Sequence, residues 1–142
     1  MKVSVILPAA GLGTRMKAGA AESAGVSRKQ FMQLEGSPIL VHTVRKFAAC
    51  PLVSEIVVAL RQDDLDWVRQ LIDRENFAVA VRTVAGGESR QQSVENALDS
   101  LSPDTEIVAV HDAVRPFVAA ETIIEVIETA ARTGAAIVGI VP

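Results

Sequence analysis

The chain is organised around residues 5–16, Val-Ile-Leu-Pro-Ala-Ala-Gly-Leu-Gly-Thr-Arg-Met. The apolar run before Pro8 predicts a buried strand, Lys2–Leu7, which then breaks into small residues and two glycines. Small residues let a backbone approach a ligand closely, and glycine allows the φ values that a tight loop needs. Such a loop directs N–H groups into a concavity that suits phosphate oxygens, and Arg15 adds a planar cation with several donors.

This loop differs from the two most common phosphate loops. Gly11 and Gly13 lack the third glycine of the dinucleotide fingerprint, and the Lys-Ser/Thr pair of the P-loop is absent. A glycine-rich turn after a strand is also common as a purely structural turn. This loop alone therefore does not distinguish a phosphate site from a structural turn, and other segments of the sequence are needed to do so.

Composition limits the class of protein. The 142 residues fit one domain. Abundant Val, Ile, Leu and Ala favour a parallel sheet under helices. A net charge of −3 without a basic block argues against a nucleic-acid surface, although a nucleotide pocket needs only a few cations. The single cysteine, Cys50, excludes an intrachain disulfide, and we expect a cytoplasmic protein without signal peptide or membrane span.

Strand and helix patterns alternate along the chain. The predicted strands are Lys2–Leu7, Phe31–Leu34, Ser54–Leu60, Ala78–Val84, Glu106–Val110 and Ala135–Val141. Four helices are predicted, with starts at Ser37, Asp63, Ser89 and Glu121. In the first of them, Ser37 would be the N-cap residue and Pro38 would occupy the first helical position. Helical spacing directs Leu98 and Ala131 inward, and Gly134 ends the last helix. This order predicts a Rossmann-like, doubly wound α/β fold with a mostly parallel sheet and helices on both faces.

Three unusual segments follow predicted strands. They are Pro8–Arg15, Gly86–Ser93 and His111–Pro116. Ligands of open parallel sheets bind at the carboxyl ends of the strands, so these segments are expected to form one site. Asp112 could form a structural ion pair with Arg115, bind a ribose hydroxyl or hold magnesium, and the residues alone leave these roles open.

Two cations suit phosphoryl chemistry. Arg15 and Lys29 can stabilise charge that develops on the α-phosphate and on leaving pyrophosphate. Residues 17–27, rich in Ala, Gly and Ser, are expected to be mobile without ligand, with Arg28 and Lys29 carried on a lid. No general base is required if the attacking group is already a phosphate anion.

Four motifs of the sequence resemble those of known enzymes. Pro8–Met16 resembles the signature of sugar nucleotidyltransferases, whereas Gly86–Val94, Val110–Pro116 and Arg28–Phe31 together resemble 2-C-methyl-D-erythritol 4-phosphate cytidylyltransferases. The resemblance implies transfer of CMP from CTP to that polyol phosphate, with release of pyrophosphate, in the non-mevalonate isoprenoid pathway. It also implies magnesium or another divalent cation and a homodimer, with no nucleic-acid or membrane partner.

The resemblance assigns roles by motif. Arg15 and Lys29 match the family's catalytic cations, and Arg115 lies on the acceptor side, while Asp112 also becomes a candidate metal ligand. The implied CTP-binding residues are Pro8, Ala9, Ala10, Gly11, Gly13, Gly86, Gly87, Glu88, Ser93, Asp112 and Ala113. Members of the family continue beyond the strand that matches Ala135–Val141. The resemblance therefore implies that residues 1–142 form a nucleotide-binding (nucleotidyltransferase) domain that is incomplete relative to the family and truncated at its C-terminal side.

Other functions stay open at this stage. A cytidylyltransferase for another polyol phosphate, such as ribitol 5-phosphate, would carry the same nucleotide motifs. A catalytically incomplete nucleotide-binding fragment would bind CTP, or nothing, without releasing pyrophosphate. A dinucleotide-binding domain is disfavoured by the missing third glycine and by Arg15.

Overall fold

The computed structural model describes residues 1–11 and 29–139. The predicted mobile stretch 17–27, Gly13 and Arg15 lie outside the described residues. The described strands are β1 (Val3–Pro8), β2 (Gln33–Leu34), β3 (Ser37–Pro38), β4 (Glu55–Leu60), β5 (Ala80–Ala85) and β6 (Ile107–Val110). The helices are α1 (Ile39–Ala48), α2 (Leu65–Glu75), α3 (Arg90–Asp99) and α4 (Ala120–Thr133), with 3-10 turns at Lys29–Phe31 and Gln62–Asp64.

Four strands form one parallel sheet in the order β5-β4-β1-β6. The central strands β1 and β4 are apolar along almost their whole length because both of their faces are covered. Val3, Val5 and Leu7 pack on one face with residues of α1, α2 and α4, while Ile6 and Val57 pack on the other face with Ala97 of α3. The predicted doubly wound fold with helices on both faces is confirmed.

The amino end of the sheet is held by a buried carboxylate. The side chain of Glu55 accepts hydrogen bonds from Ser4 Oγ at 2.5 Å, Ser102 N at 3.0 Å and Arg82 Nη2 at 2.9 Å. These donors come from β1, β5 and the loop before β6. Glu55 therefore joins three segments at the end of the strands opposite the glycine-rich loops.

Three expectations about local structure are wrong. Pro38, not Ser37, occupies the N-cap position of α1, and Ser37 pairs with Leu34 in a short hairpin. Residues 135–139 form no strand, so the part of predicted strand Ala135–Val141 that the structure describes is irregular. Leu98 is 43% exposed and Ala131 is also exposed, because the sheet and its loops cover a narrower stripe of α3 and α4 than helical spacing predicts.

Candidate functional site

The three predicted segments meet at the carboxyl ends of the strands. The loop after β1 is aligned with β4 because Ala9 N donates to the carbonyl of Ala59 at 2.7 Å. The loop after β5 begins in the same way, with Gly86 N donating to the carbonyl of Leu60 at 2.6 Å. Backbone hydrogen bonds along the parallel sheet thus place both glycine-containing loops beside each other.

Gly86 permits the close approach of these two loops. A β-carbon at this position would lie 2.6 Å from Ala10 Cβ and 2.7 Å from Ser93 Oγ, which is closer than real contacts allow. A β-carbon on Gly87 would likewise lie 2.1 Å from Cγ of Gln92. Glycine is therefore required at both positions by space rather than by an unusual backbone angle.

Helix α3 begins at the second loop, as predicted. The side chain of Ser89 caps it by accepting a hydrogen bond from Gln92 N at 3.0 Å. Buried Ser93 accepts another from Gly87 N at 3.0 Å, which fixes the loop on its own helix. Glu88 is exposed beside them, and the loop therefore presents backbone and one free carboxyl side chain to solvent.

Asp112 links the second and third loops. Its Oδ1 accepts from Arg90 Nη2 at 3.0 Å, and its Oδ2 accepts from Arg115 Nε at 3.1 Å. Burial raises the pKa of Asp112, but the hydrogen bonds and charges of Arg90 and Arg115 outweigh burial and lower it. The carboxylate stays ionised at neutral pH, and two guanidinium groups on one carboxylate leave the cluster cationic overall.

The third loop, which follows β6, is anchored by residues of helix α1. Thr43 of α1 is fully buried, and its Oγ1 donates to the carbonyl of Ala113 at 2.8 Å. His111 Nε2 lies 2.9 Å from the carbonyl of Arg115, and the imidazole packs 5.0 Å from the ring of Phe47. These contacts fix the backbone of the loop that carries Asp112.

A groove adjoins the Asp112 cluster. It has a volume of about 310 Å³ and passes Arg90, Asp112 and Arg115 before running between β6 and α4. Arg115 is exposed at its mouth. The groove therefore offers space for a ligand next to the Asp112 cluster.

The remaining predicted residues divide into two groups. Pro8, Ala9, Ala10 and Gly11 lie at the edge as expected, and Lys29 is exposed at the start of a 3-10 turn. The two members outside the described residues are Gly13 and Arg15. Within residues 1–11 and 29–139, no three His, Cys, Asp or Glu side chains lie close enough to hold a metal ion together.

Two polar contacts were missed by the sequence interpretation. Besides Thr43, Gln30 is buried and its Nε2 donates to the carbonyls of Ala9 at 2.9 Å and Gly11 at 2.8 Å. Gln30 stands in the Arg28–Phe31 motif, next to Lys29, which was the only signal that could have pointed to it. Thr43 gave no signal, because a threonine inside an amphipathic helix has many ordinary explanations.

Known proteins match nearly the whole chain. The family model described as IspD, 2-C-methyl-D-erythritol 4-phosphate cytidylyltransferase, matches residues 3–142. Proteins of that name from Solibacter usitatus and Acidobacterium capsulatum are 67% and 50% identical over 99% of this chain. The chain spans 57% and 58% of their respective lengths.

Solved structures agree on the fold. The crystal structure of 4-diphosphocytidyl-2C-methyl-D-erythritol synthase from Anaerococcus prevotii matches with a TM-score of 0.74 and 27% identity, covering 92% of this chain and 51% of that one. Among the described residues, no helix is both long and apolar enough to cross a membrane.

Proposed function

Because the chain belongs to the 2-C-methyl-D-erythritol 4-phosphate cytidylyltransferase family, we propose that it provides the CTP site of an enzyme that transfers CMP to 2-C-methyl-D-erythritol 4-phosphate and releases pyrophosphate. One observation carries the proposal. The contact of Gly86 with Ala10 and the bridge from Arg90 to Asp112 bring all three motif segments to one edge of the sheet.

Each segment then has a role at that edge. The backbone at Ala9, Ala10 and Gly11 holds the ribose and triphosphate, and Pro8 and Gly13 are assigned to the same CTP site. Gly86, Gly87, Glu88 and Ser93 select cytosine, because a base edge can be read by fixed backbone groups and one carboxylate. Asp112 and Ala113 lie at the ribose, and Arg115 faces the acceptor across the adjoining groove.

The transfer needs charge stabilisation more than proton transfer. An oxygen of the acceptor phosphate attacks the α-phosphorus of CTP, a new P–O bond forms, and the bond to pyrophosphate breaks. Arg15 and Lys29 are the cations assigned to the charge that develops on the phosphate oxygens. The exposure of Lys29 leaves its ammonium free to reach a bound triphosphate.

Asp112 is our candidate ligand for a divalent cation, and it would bind the ion in place of the guanidinium groups of Arg90 or Arg115, which hold both of its oxygens in this structure. Magnesium is usually held by one or two carboxylates together with substrate phosphates and water, and Asp112 offers an ionised carboxylate beside the proposed phosphate loop. Asp112 would hold the ion, which would neutralise phosphate charge. The second role proposed for the same carboxylate is to accept a hydrogen bond from a ribose hydroxyl of CTP.

The wider proposal includes the state of the complete enzyme. We propose a homodimer in the cytoplasm that binds CTP and a polyol phosphate and neither nucleic acid nor membrane. The net charge of −3 without a basic block supports the proposal that no nucleic acid is bound, and the single cysteine supports a cytoplasmic location, whereas the homodimer follows from the family alone. Ribitol 5-phosphate as acceptor is the closest alternative, and a panel of polyol phosphates given to the complete enzyme separates the two.

Nucleotide binding tests the proposal directly. Calorimetric titration of this chain with CTP and Mg²⁺ should show binding, and titration with UTP, ATP or GTP should show little or none. Asp112→Asn should weaken CTP binding, whereas Asp104→Asn should not, because exposed Asp104 pairs with Lys2 at the opposite end of the strands. Equal affinity for all four nucleotides, or loss of binding in both variants, would contradict the proposed site.

A further inference from the structure

Gln30 is a buried polar side chain with no role in the proposed chemistry. It is 4% exposed, and its Nε2 lies within hydrogen-bond distance of two carbonyl oxygens, those of Ala9 and Gly11. Carbonyl oxygens only accept, so these contacts require the amide nitrogen at this position and fix the orientation of the side-chain amide. The amide therefore uses both of its N–H groups on one loop.

These hydrogen bonds set the direction of a neighbouring N–H group. The carbonyl of Ala9 and the N–H of Ala10 belong to the same planar peptide unit and point in opposite directions when it is trans. The described residues contain no cis peptide bond. Holding the carbonyl of Ala9 towards Gln30 consequently turns the N–H of Ala10 away from Gln30.

Gln30 also joins two separate segments of the site. It lies in the 3-10 turn that begins with Lys29, while its partners lie about twenty residues earlier in the loop after β1. Its neighbour Phe31 packs against Trp67, with ring centroids 4.7 Å apart. The turn that carries Lys29 is thus anchored to α2 on one side and to the loop on the other.

We propose that Gln30 is a positioning residue that shapes the Ala9–Gly11 loop for the triphosphate and fixes the backbone of Lys29 beside it. This inference rests on the proposed CTP site. It assigns no contact between Gln30 and substrate, and the residue acts through the backbone N–H groups of the loop.

Two variants separate hydrogen bonding from packing. Gln30→Met keeps the length and volume of the side chain but removes both donors, and Gln30→Glu keeps the shape but offers only acceptors when ionised. Gln33→Met is the matched control, because Gln33 is exposed three residues later. All three variants and the unsubstituted chain are titrated with CTP and Mg²⁺, and hydrogen–deuterium exchange is followed at residues 9–11 and in β4.

We expect Gln30→Met and Gln30→Glu to weaken CTP binding at least about tenfold, since two hydrogen bonds are lost from the loop. Exchange at residues 9–11 should become faster while β4 stays protected, and Gln33→Met should match the unsubstituted chain. Unchanged affinity and unchanged loop exchange in Gln30→Met would overturn the inference. If the unsubstituted chain bound no CTP, the proposed function would fail, whereas the exchange at residues 9–11 would still decide whether Gln30 holds the loop.

Discussion

At the scale of the residue, Glu55 makes the stability of the chain depend on pH. Burial raises the pKa of Glu55, but the hydrogen bonds from Ser4, Ser102 and Arg82 outweigh it and lower the pKa from 4.5 to about 2. Since the pKa is lower in the folded than in the unfolded chain, the ionised carboxylate stabilises the fold above pH 4.5. This contribution, roughly 3 kcal/mol, is lost as the pH falls from the unfolded towards the folded pKa.

Urea unfolding across this pH range measures the effect. Glu55→Gln should be less stable than the unsubstituted chain at neutral pH and should lose less stability on acidification. Glu125→Gln is the control, because Glu125 is exposed on α4 and should leave the pH profile unchanged. A Glu55→Gln profile parallel to that of the unsubstituted chain would show that Glu55 is not the titrating group.

Gly86 should tolerate no side chain. Gly86→Ala places a β-carbon 2.6 Å from Ala10 Cβ, so the two loops must separate. We expect a loss of roughly 1–3 kcal/mol in unfolding free energy, as for other overpacked sites, together with weaker CTP binding. Urea unfolding and CTP titration measure the two effects.

The control for this substitution is Gly139→Ala. Within the described part of the chain, a β-carbon on Gly139 meets no atom within 4 Å, so the added methyl group should change neither stability nor binding. Comparable behaviour of Gly86→Ala and Gly139→Ala would mean that the loops do not pack as closely as described.

The sequence predicted that the motif segments meet at one edge of the sheet, but it did not predict the contacts that hold them there. The position of the glycines, Asp112 and Arg115 at this edge could be predicted, because their residue types are unusual at the ends of apolar strands. Gln30 could not be predicted in its role, because its partners are about twenty residues away and only the folded chain brings them together. The sequence placed Arg90 and Asp112 at the same edge of the sheet, but their hydrogen bond could not be predicted because it depends on how the folded chain brings two separate segments together.

At the scale of the element, the cap of α3 links helix stability to the site. Ser89→Ala removes the hydrogen bond to Gln92 N and should cost about 1 kcal/mol in unfolding free energy. Arg90 is the first residue of α3, so fraying there should also loosen its hydrogen bond to Asp112. Urea unfolding measures the loss in unfolding free energy, and CTP titration shows whether the affinity for CTP also falls.

Aspartate provides the matched variant for the cap. Ser89→Asp keeps a side-chain acceptor at the N-cap and places a negative charge near the positive end of the helix dipole, so it should retain most of the stability. If Ser89→Ala and Ser89→Asp are equally destabilised, the loss comes from another feature of the loop and not from the cap.

Helix ends and strand ends differed in how well they could be predicted. Ser89 was recognised from local spacing, because a cap is formed by neighbours in sequence, and Gly134 ends α4 with φ +98° as expected. Residues 135–139 look like a strand by composition, yet a strand also needs a neighbour that completes its hydrogen bonds. Ser37-Pro38 gave the correct signal for a helix start but one residue early, because Ser37 pairs with Leu34 instead.

At the scale of the whole molecule, an edge strand of the sheet exposes apolar side chains. Strand β6 is an edge strand of the described sheet, and Val108 and Val110 are 41% and 44% exposed on it. Ile137 and Phe117 are exposed still further. Unpaired strand edges with apolar side chains favour association between copies.

We therefore expect this chain to self-associate as its concentration rises. Light scattering over a concentration series should show a growing average mass, and Val108→Lys should reduce this growth because a charged side chain protects a strand edge. Thr83→Lys, on the opposite edge strand β5, is the comparison. A monodisperse monomer at high concentration would contradict the expectation.

The hydrogen-bond cluster around Glu55 and the proposed CTP site lie at opposite ends of the strands. Glu55 ties the segments together at the amino ends of the strands, whereas the loops that we assign to CTP occupy the carboxyl ends. Substitutions at these two ends lie far apart along the strands and share no partner, so their effects on stability should add.

The contact between Gly86 and Ala10 also bears on how such chains diverge. Any side chain at position 86 would meet the β-carbon of Ala10. The loops after β1 and β5 therefore cannot change independently in evolution, because whether a substitution in one loop is tolerated depends on the sequence of the other. A combinatorial library that varies both loops together should contain active combinations that are missing when either loop is varied alone.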